Sequence, residues 1–151
     1  MKIFEPEQID YFNNYWNEHL NTDRERYHKK FHRLHNVIEV FPFSTDAIFS
    51  NNLKKLEELS SLKIRNSYML QYEKGSYAEL HNDKQSDLTW TTLLYTSGDL
   101  DGGEILLHQN KKIQIKKLEI GGSCHYTKDI EHGVSEVIQG VRRVLIVWME
   151  K

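Results

Sequence analysis

Apolar and polar positions along the chain follow two different periods. Near the start, "PEQIDYFNNYWNEHL" sets Ile9, Phe12, Trp16 and Leu20 at helical spacing, and Pro6 stands where a first helical turn tolerates proline. A second helix is predicted in "STDAIFSNNLKKLEELSSL". Ser44 or Thr45 would cap it, and Ile48, Phe49, Leu53, Leu56 and Leu59 would form one apolar face. The intervening "NTDRERYHKKFHRLHNV" is polar and basic and shows no period.

From about Leu62 the pattern alternates, as strands require. Eight candidates follow: "IRNSYMLQY", "YAELH", "LTWTTLLYT", "EILLH", "KIQIKKL", "GSCHYT", "HGVSEVI" and "VRRVLIVWM". Lys74-Gly75, "SGDLDGG", Gly121-Gly122 and Gly140 punctuate them as turns. Eight short strands after two helices predict a β-sandwich or barrel backed by helices, in a single domain spanning 1–151. The last strand is apolar on both faces apart from Arg142 and Arg143, which predicts a central strand covered on both sides.

Composition narrows the function. A net charge of -2 argues against non-specific nucleic-acid binding. Cys124 is the only cysteine, so no internal disulfide forms, which fits a reducing compartment. "MKIFEPEQID" carries acids where a secretion signal needs an apolar run, and no stretch reaches membrane-span length. A soluble cytoplasmic protein without a membrane partner is expected.

The candidate chemistry starts at His81 and Asp83. With eight histidines and 22 acids in the chain, about one His-x-acid pair arises by chance, so the pair means little alone. Two positions apart on a strand, however, the two side chains share a side and can offer nitrogen and oxygen to one ion. His132, about fifty residues on, is the candidate third ligand. Two histidines and one carboxylate on one face of an ion form the facial set of non-haem Fe(II) oxygenases. Ten positions beyond His132 stands Arg142, whose burial would be expensive without an anionic partner such as a ligand carboxylate. Alternation sends Arg143 to the opposite face, and the pattern leaves open which face looks inward. No nucleophilic triad is visible. The other histidines, the basic run Arg24, Arg26, Lys29, Lys30 and Arg33, and Cys124 read as surface or packing residues.

From about Ile64 to Met149 the chain resembles the 2-oxoglutarate and Fe(II)-dependent dioxygenases, in their prolyl 4-hydroxylase-like branch. "LQYEKGSYAELHND", "TTLLYTSGDLDGGEILL", "GGSCHYT" and "HGVSEVIQGVRRVLIVW" carry the resemblance, in the family's order. It implies a double-stranded β-helix (a jelly-roll core) with N-terminal helical support, hence a mainly β, α+β fold. It also implies Fe(II) held by His81, Asp83 and His132, with 2-oxoglutarate and O2 as co-substrates and ascorbate admissible as an accessory. Arg142 would pair with the distal carboxylate of 2-oxoglutarate, with Tyr72 and Tyr95 beside the co-substrate and Tyr95 donating its hydroxyl to that carboxylate. Tyr126 and Trp148 match aromatic positions and read as packing. The implied reaction couples decarboxylation of the keto acid to hydroxylation of an aliphatic C–H. Peptidyl proline is the best single guess at substrate, with small molecules open. The rival readings are a cupin-type metal enzyme that does not use 2-oxoglutarate and a non-catalytic jelly-roll binding module. The loops "NDKQSD" and "TSGDLDGG" are expected to border the substrate entrance.

Overall fold

The computed structural model describes residues 1–19, 24–27, 37–40 and 46–151. Leu20, Lys29, Lys30, Arg33, Ser44 and Thr45, named above, lie outside them, as do His28, His32 and His35. The helices are α1 (Pro6–His19), α2 (Ala47–Asn51) and α3 (Lys54–Ser60). The strands are β1 (Arg24–Tyr27), β2 (Val37–Val40), β3 (Lys63–Tyr72), β4 (Ala78–His81), β5 (Leu88–Thr96), β6 (Asp101–Gly102), β7 (Ile105–Gln109), β8 (Lys112–Lys116), β9 (Ser123–Thr127), β10 (Glu131–Val134), β11 (Val137–Gln139) and β12 (Arg142–Glu150). Among the described residues no helix is long and apolar enough to cross a membrane.

Two antiparallel sheets build the jelly roll. One has six strands in the order β1-β2-β3-β12-β5-β9, the other four in the order β4-β10-β7-β8, and β11 pairs separately with β6. β12 lies between β3 and β5, and its two faces belong to two cores. Leu145, Val147 and Met149 pack with Phe12, Trp16, Phe49, Leu53 and Leu56 of the helical layer. Val144 and Ile146 pack on the other side with Tyr68, Leu70, Leu93 and Val137. Double coverage is why this strand carries apolar residues at successive positions. Each such large side chain contributes about 1.5–3 kcal/mol on burial.

The second predicted helix is broken. Asp46 caps α2 by accepting a hydrogen bond from Phe49 N at 3.0 Å. At the other end Asn52 donates its side-chain amide to the Ile48 carbonyl at 2.9 Å, and the chain restarts as α3. Phe49, Leu53 and Leu56 stay buried, but Ile48 and Leu59 are exposed, since helical spacing sets both to one flank, roughly 80–100° round from Phe49.

The segment "HGVSEVI", predicted as one strand, is two. At Ser135 and Glu136 the chain leaves β7 for β6, pinned by Ser135 N to the Glu104 carbonyl (2.9 Å) and by Glu104 N to Ser135 Oγ (2.9 Å). Gly102, at φ +79°, is required here, since a Cβ would collide with the Glu136 carbonyl oxygen.

Candidate metal centre

β4 ends at His81, and β10 runs antiparallel to it with His132 directly opposite. That register brings the two imidazoles together, ring centroids 4.4 Å apart and planes tilted by 55°. Asp83 is delivered by a turn just past the strand end, closed by Ser86 N on the Asp83 carbonyl at 3.0 Å. Ligand atoms of His81, Asp83 and His132 all lie within 4.8 Å of one another.

Each histidine is oriented from behind by the backbone. His81 Nδ1 lies 2.7 Å from the Glu79 carbonyl and His132 Nδ1 3.2 Å from the Ile130 carbonyl, so each donates there and turns Nε2 toward the centre. Those Nε2 atoms stand 3.5 Å and 3.2 Å from the Asp83 carboxylate oxygens. Thr89 donates its hydroxyl to Asp83 Oδ2 at 3.1 Å and fixes the carboxylate plane. Burial pushes the Asp83 carboxyl up, but hydrogen bonds from His132 and His81, together with their charge, outweigh it and hold the group well below the usual carboxylate range. Tyr126 lies against the His132 ring, centroids 4.1 Å apart, with its hydroxyl 3.1 Å from Thr91 Oγ1. Burial, and then the charge of Asp83, push its phenol well up, so it stays protonated.

All three residues open onto a cavity of about 890 Å³ along the inner face of the six-stranded sheet, which Tyr72 and Arg142 also line. Arg142 is only 4% exposed. Its guanidinium sits 5.5 Å from the Tyr72 ring centroid, and Nη1 has no hydrogen-bond partner among the described residues. Burial lowers its pKa. A buried cation with an orphaned N–H, sharing a cavity with two imidazoles and a carboxylate, suits a ligand that carries a carboxylate and chelates a metal. The donor set suits Fe(II).

Arg143 takes the other face. It donates to Gln71 Oε1 at 3.1 and 2.8 Å and to Asn13 Oδ1 at 2.8 Å, and its Cζ lies 4.9 Å from a Trp16 ring centroid. Burial pulls its pKa down to about 10. Tyr95, expected beside the co-substrate, is 40% exposed and does not line the cavity; its ring centroid lies 5.0 Å from Arg143 Cζ. Directly opposed residues share a face, and Tyr95 opposes Arg143.

Of the two expected entrance loops, Asn82 to Gln85 line the large cavity. The 96–103 loop instead lines a separate cavity of about 250 Å³ behind Arg142. Thr89, Thr91 and Tyr68 were not singled out as site residues by sequence. Polar threonines at alternating positions of an otherwise apolar strand were the available signal for the first two.

The fold is a double-stranded β-helix, and two histidines and one carboxylate line its inner cavity. No protein-family model matches the chain. A PKHD-type hydroxylase of Rippkaea orientalis is 29% identical over 113 residues, covering 69% of this chain and 50% of the relative. A second, of Prochlorococcus marinus, is 32% identical over 109 residues, covering 68% and 49%. The chain therefore spans about half the length of the curated relatives it matches. Among solved structures, a prolyl-4-hydroxylase of Pseudomonas putida superposes with TM-score 0.75 at 11% identity, covering all of this chain and 90% of the other. An oxidoreductase of the 2OG-Fe(II) oxygenase family from Burkholderia pseudomallei also gives TM-score 0.75, at 14% identity over 91% of this chain and 78% of the other. The chain is thus similar in sequence to PKHD-type hydroxylases and shares its fold with solved structures that include a 2OG-Fe(II) oxygenase and a prolyl-4-hydroxylase.

Proposed function

We propose that the chain is an Fe(II)- and 2-oxoglutarate-dependent dioxygenase that hydroxylates an aliphatic C–H, with a peptidyl prolyl residue as the preferred substrate. The observation that carries the reading is one cavity shared by the His81, Asp83 and His132 cluster and a buried arginine with an orphaned N–H. Fe(II) with 2-oxoglutarate would supply O2 activation, coupling conversion of the keto acid to succinate and CO2 with insertion of one oxygen atom into the substrate C–H bond.

The protein's own share is positioning. His81 and His132 would offer Nε2 to the metal while their Nδ1–H groups stay bonded to Glu79 and Ile130. Asp83, kept ionised and oriented by Thr89, would complete the facial set. Arg142 would pair with the distal carboxylate of 2-oxoglutarate, with Tyr72 flanking it. Leu70, Val144 and Ile146 wall the cavity with apolar surface and exclude water around the reacting groups. A cupin-type enzyme without 2-oxoglutarate would leave Arg142 uncompensated, which argues for the dioxygenase.

The test is succinate formation dependent on both Fe(II) and 2-oxoglutarate, followed with a screen of proline-containing peptides by mass spectrometry. A gain of one oxygen with wild type, absent in His81→Ala, is expected. No 2-oxoglutarate-dependent turnover with any substrate, and no 2-oxoglutarate binding, would overturn the reading.

A further inference from the structure

β8 is the outer strand of the four-stranded sheet and pairs only with β7 among the described residues. All five of its residues are exposed, Ile113 and Ile115 at 54% and 59%. Asn110 and Lys111, at φ 55° and 63°, close a two-residue turn whose twist matches the flanking strands. In such a hairpin the flanking pair, here Gln109 and Lys112, exchanges both backbone hydrogen bonds, and bonded pairs then alternate along the ladder. Lys112, Gln114 and Lys116 therefore aim their N–H and C=O groups at β7, while Ile113 and Ile115 aim theirs at the open side.

Side chains alternate as well. Ile113 and Ile115 share one face, and Lys112, Gln114 and Lys116 share the other. Lys111 and Lys117 extend the charge, so "KKIQIKKL" carries four lysines in a chain whose net charge is -2. None of the four forms an ion pair among the described residues.

We propose that the β8 edge docks an extended acidic peptide segment of alternating acidic and apolar residues, which joins the sheet as a further antiparallel strand. Opposed residues share a face, so acidic side chains would meet Lys112 and Lys116 while apolar ones cover Ile113 and Ile115. A second copy of this chain fits poorly, because antiparallel pairing about Gln114 sets Lys112 against the copy's own Lys116. Lysines on an edge strand discourage like-charged edges in this way and leave an acidic one favoured. A nucleic acid would match the charge but would use neither the outward backbone groups nor the isoleucines. No residue of β8 lines the large cavity, although Lys116 lines the smaller one behind Arg142, and the docking test reads binding without any turnover.

The experiment uses the full chain and fluorescein-labelled acetyl-Glu-Val-Glu-Val-Glu-amide, with binding read by anisotropy. Saturable binding below ~1 mM is expected. The scrambled peptide acetyl-Val-Val-Glu-Glu-Glu-amide should bind about tenfold more weakly. Ile113→Pro, which removes an outward N–H without touching a bond to β7, should weaken the alternating peptide by about the same factor. If Ile113→Pro loses the native circular-dichroism melt, the surface variant Lys112→Glu/Lys116→Glu carries the test, and its preference should switch to the lysine counterpart of the probe. No binding at ~1 mM overturns the proposal. So does equal affinity for the scrambled peptide, tighter binding of an oligothymidylate, or self-association through β8 in sedimentation.

Discussion

Arg142 and Arg143 are chain neighbours with opposite energetic roles, and replacing each in turn by methionine separates them. Arg142 is buried, has an orphaned Nη1, and is compensated only by Tyr72 at 5.5 Å among the contacts described above. An unsatisfied buried polar group costs about 1–3 kcal/mol. Losing the ring contact removes roughly 0.5–1 kcal/mol of stabilisation. Arg142→Met should therefore leave the metal-free, ligand-free protein as stable as wild type or up to ~2 kcal/mol more stable. For a chain of this size that raises Tm by at most about 8 °C. The same change should weaken 2-oxoglutarate binding by about 2–5 kcal/mol, roughly 30- to 4,000-fold. Arg143→Met breaks the charged hydrogen bonds to Gln71 and Asn13, which should cost about 2–3 kcal/mol and lower Tm by roughly 4–12 °C, with 2-oxoglutarate affinity unchanged. Scanning calorimetry of the metal-free proteins and titration calorimetry of 2-oxoglutarate into the Mn(II)-loaded proteins read the two quantities. A destabilised Arg142→Met with wild-type affinity, or loss of affinity in Arg143→Met alone, would refute the reasoning.

Thr89→Val removes the hydroxyl that orients Asp83, and metal affinity should fall about 10- to 100-fold by Mn(II) titration while the melt is largely kept. Gly102→Ala should destabilise by clearly more than Gly75→Ala in urea denaturation, since both have positive φ but only Gly102 meets a neighbouring carbonyl; the αL penalty common to both is about 1–2 kcal/mol. Burial raises the Cys124 thiol, so native protein at about pH 8.5 should alkylate with iodoacetamide more slowly than urea-unfolded protein, read by mass. With the folded value above the unfolded one, this thiol's contribution to stability is complete below the unfolded pKa and is lost as pH rises through the folded one, so its sign is checked by a Cys124→Ser control that flattens that alkaline segment.

The strand pattern, the central place of the last strand and the helical start at Pro6 were legible because they follow from period and coverage alone. Alternation marks a strand wherever one face is buried, and a strand apolar on both faces has to lie between two layers. The broken second helix was not legible, because its apolar spacing permits one continuous face. Asn52 bonds the Ile48 carbonyl through its side chain as well as its backbone N–H where the helix stops. Splitting of "HGVSEVI" depended on Ser135 and Glu104 bonding across the fold, which no local pattern encodes. Tyr95 looked suitable by type and position, but the face it occupies follows from its pairing with Arg143.

The sequence by itself determined which residue types were available: an imidazole and a carboxylate two apart, a second imidazole far along, two adjacent arginines, and the alternating segments to carry them. Only the tertiary structure decided which of them meet. Register between β4 and β10 sets His132 opposite His81, and the helical layer over one side of β12 takes Arg143 and leaves Arg142 to the cavity. Periodicity is a property of neighbouring residues and survives in one dimension. Register and facing are properties of pairs far apart in the chain, settled by which apolar surfaces cover one another.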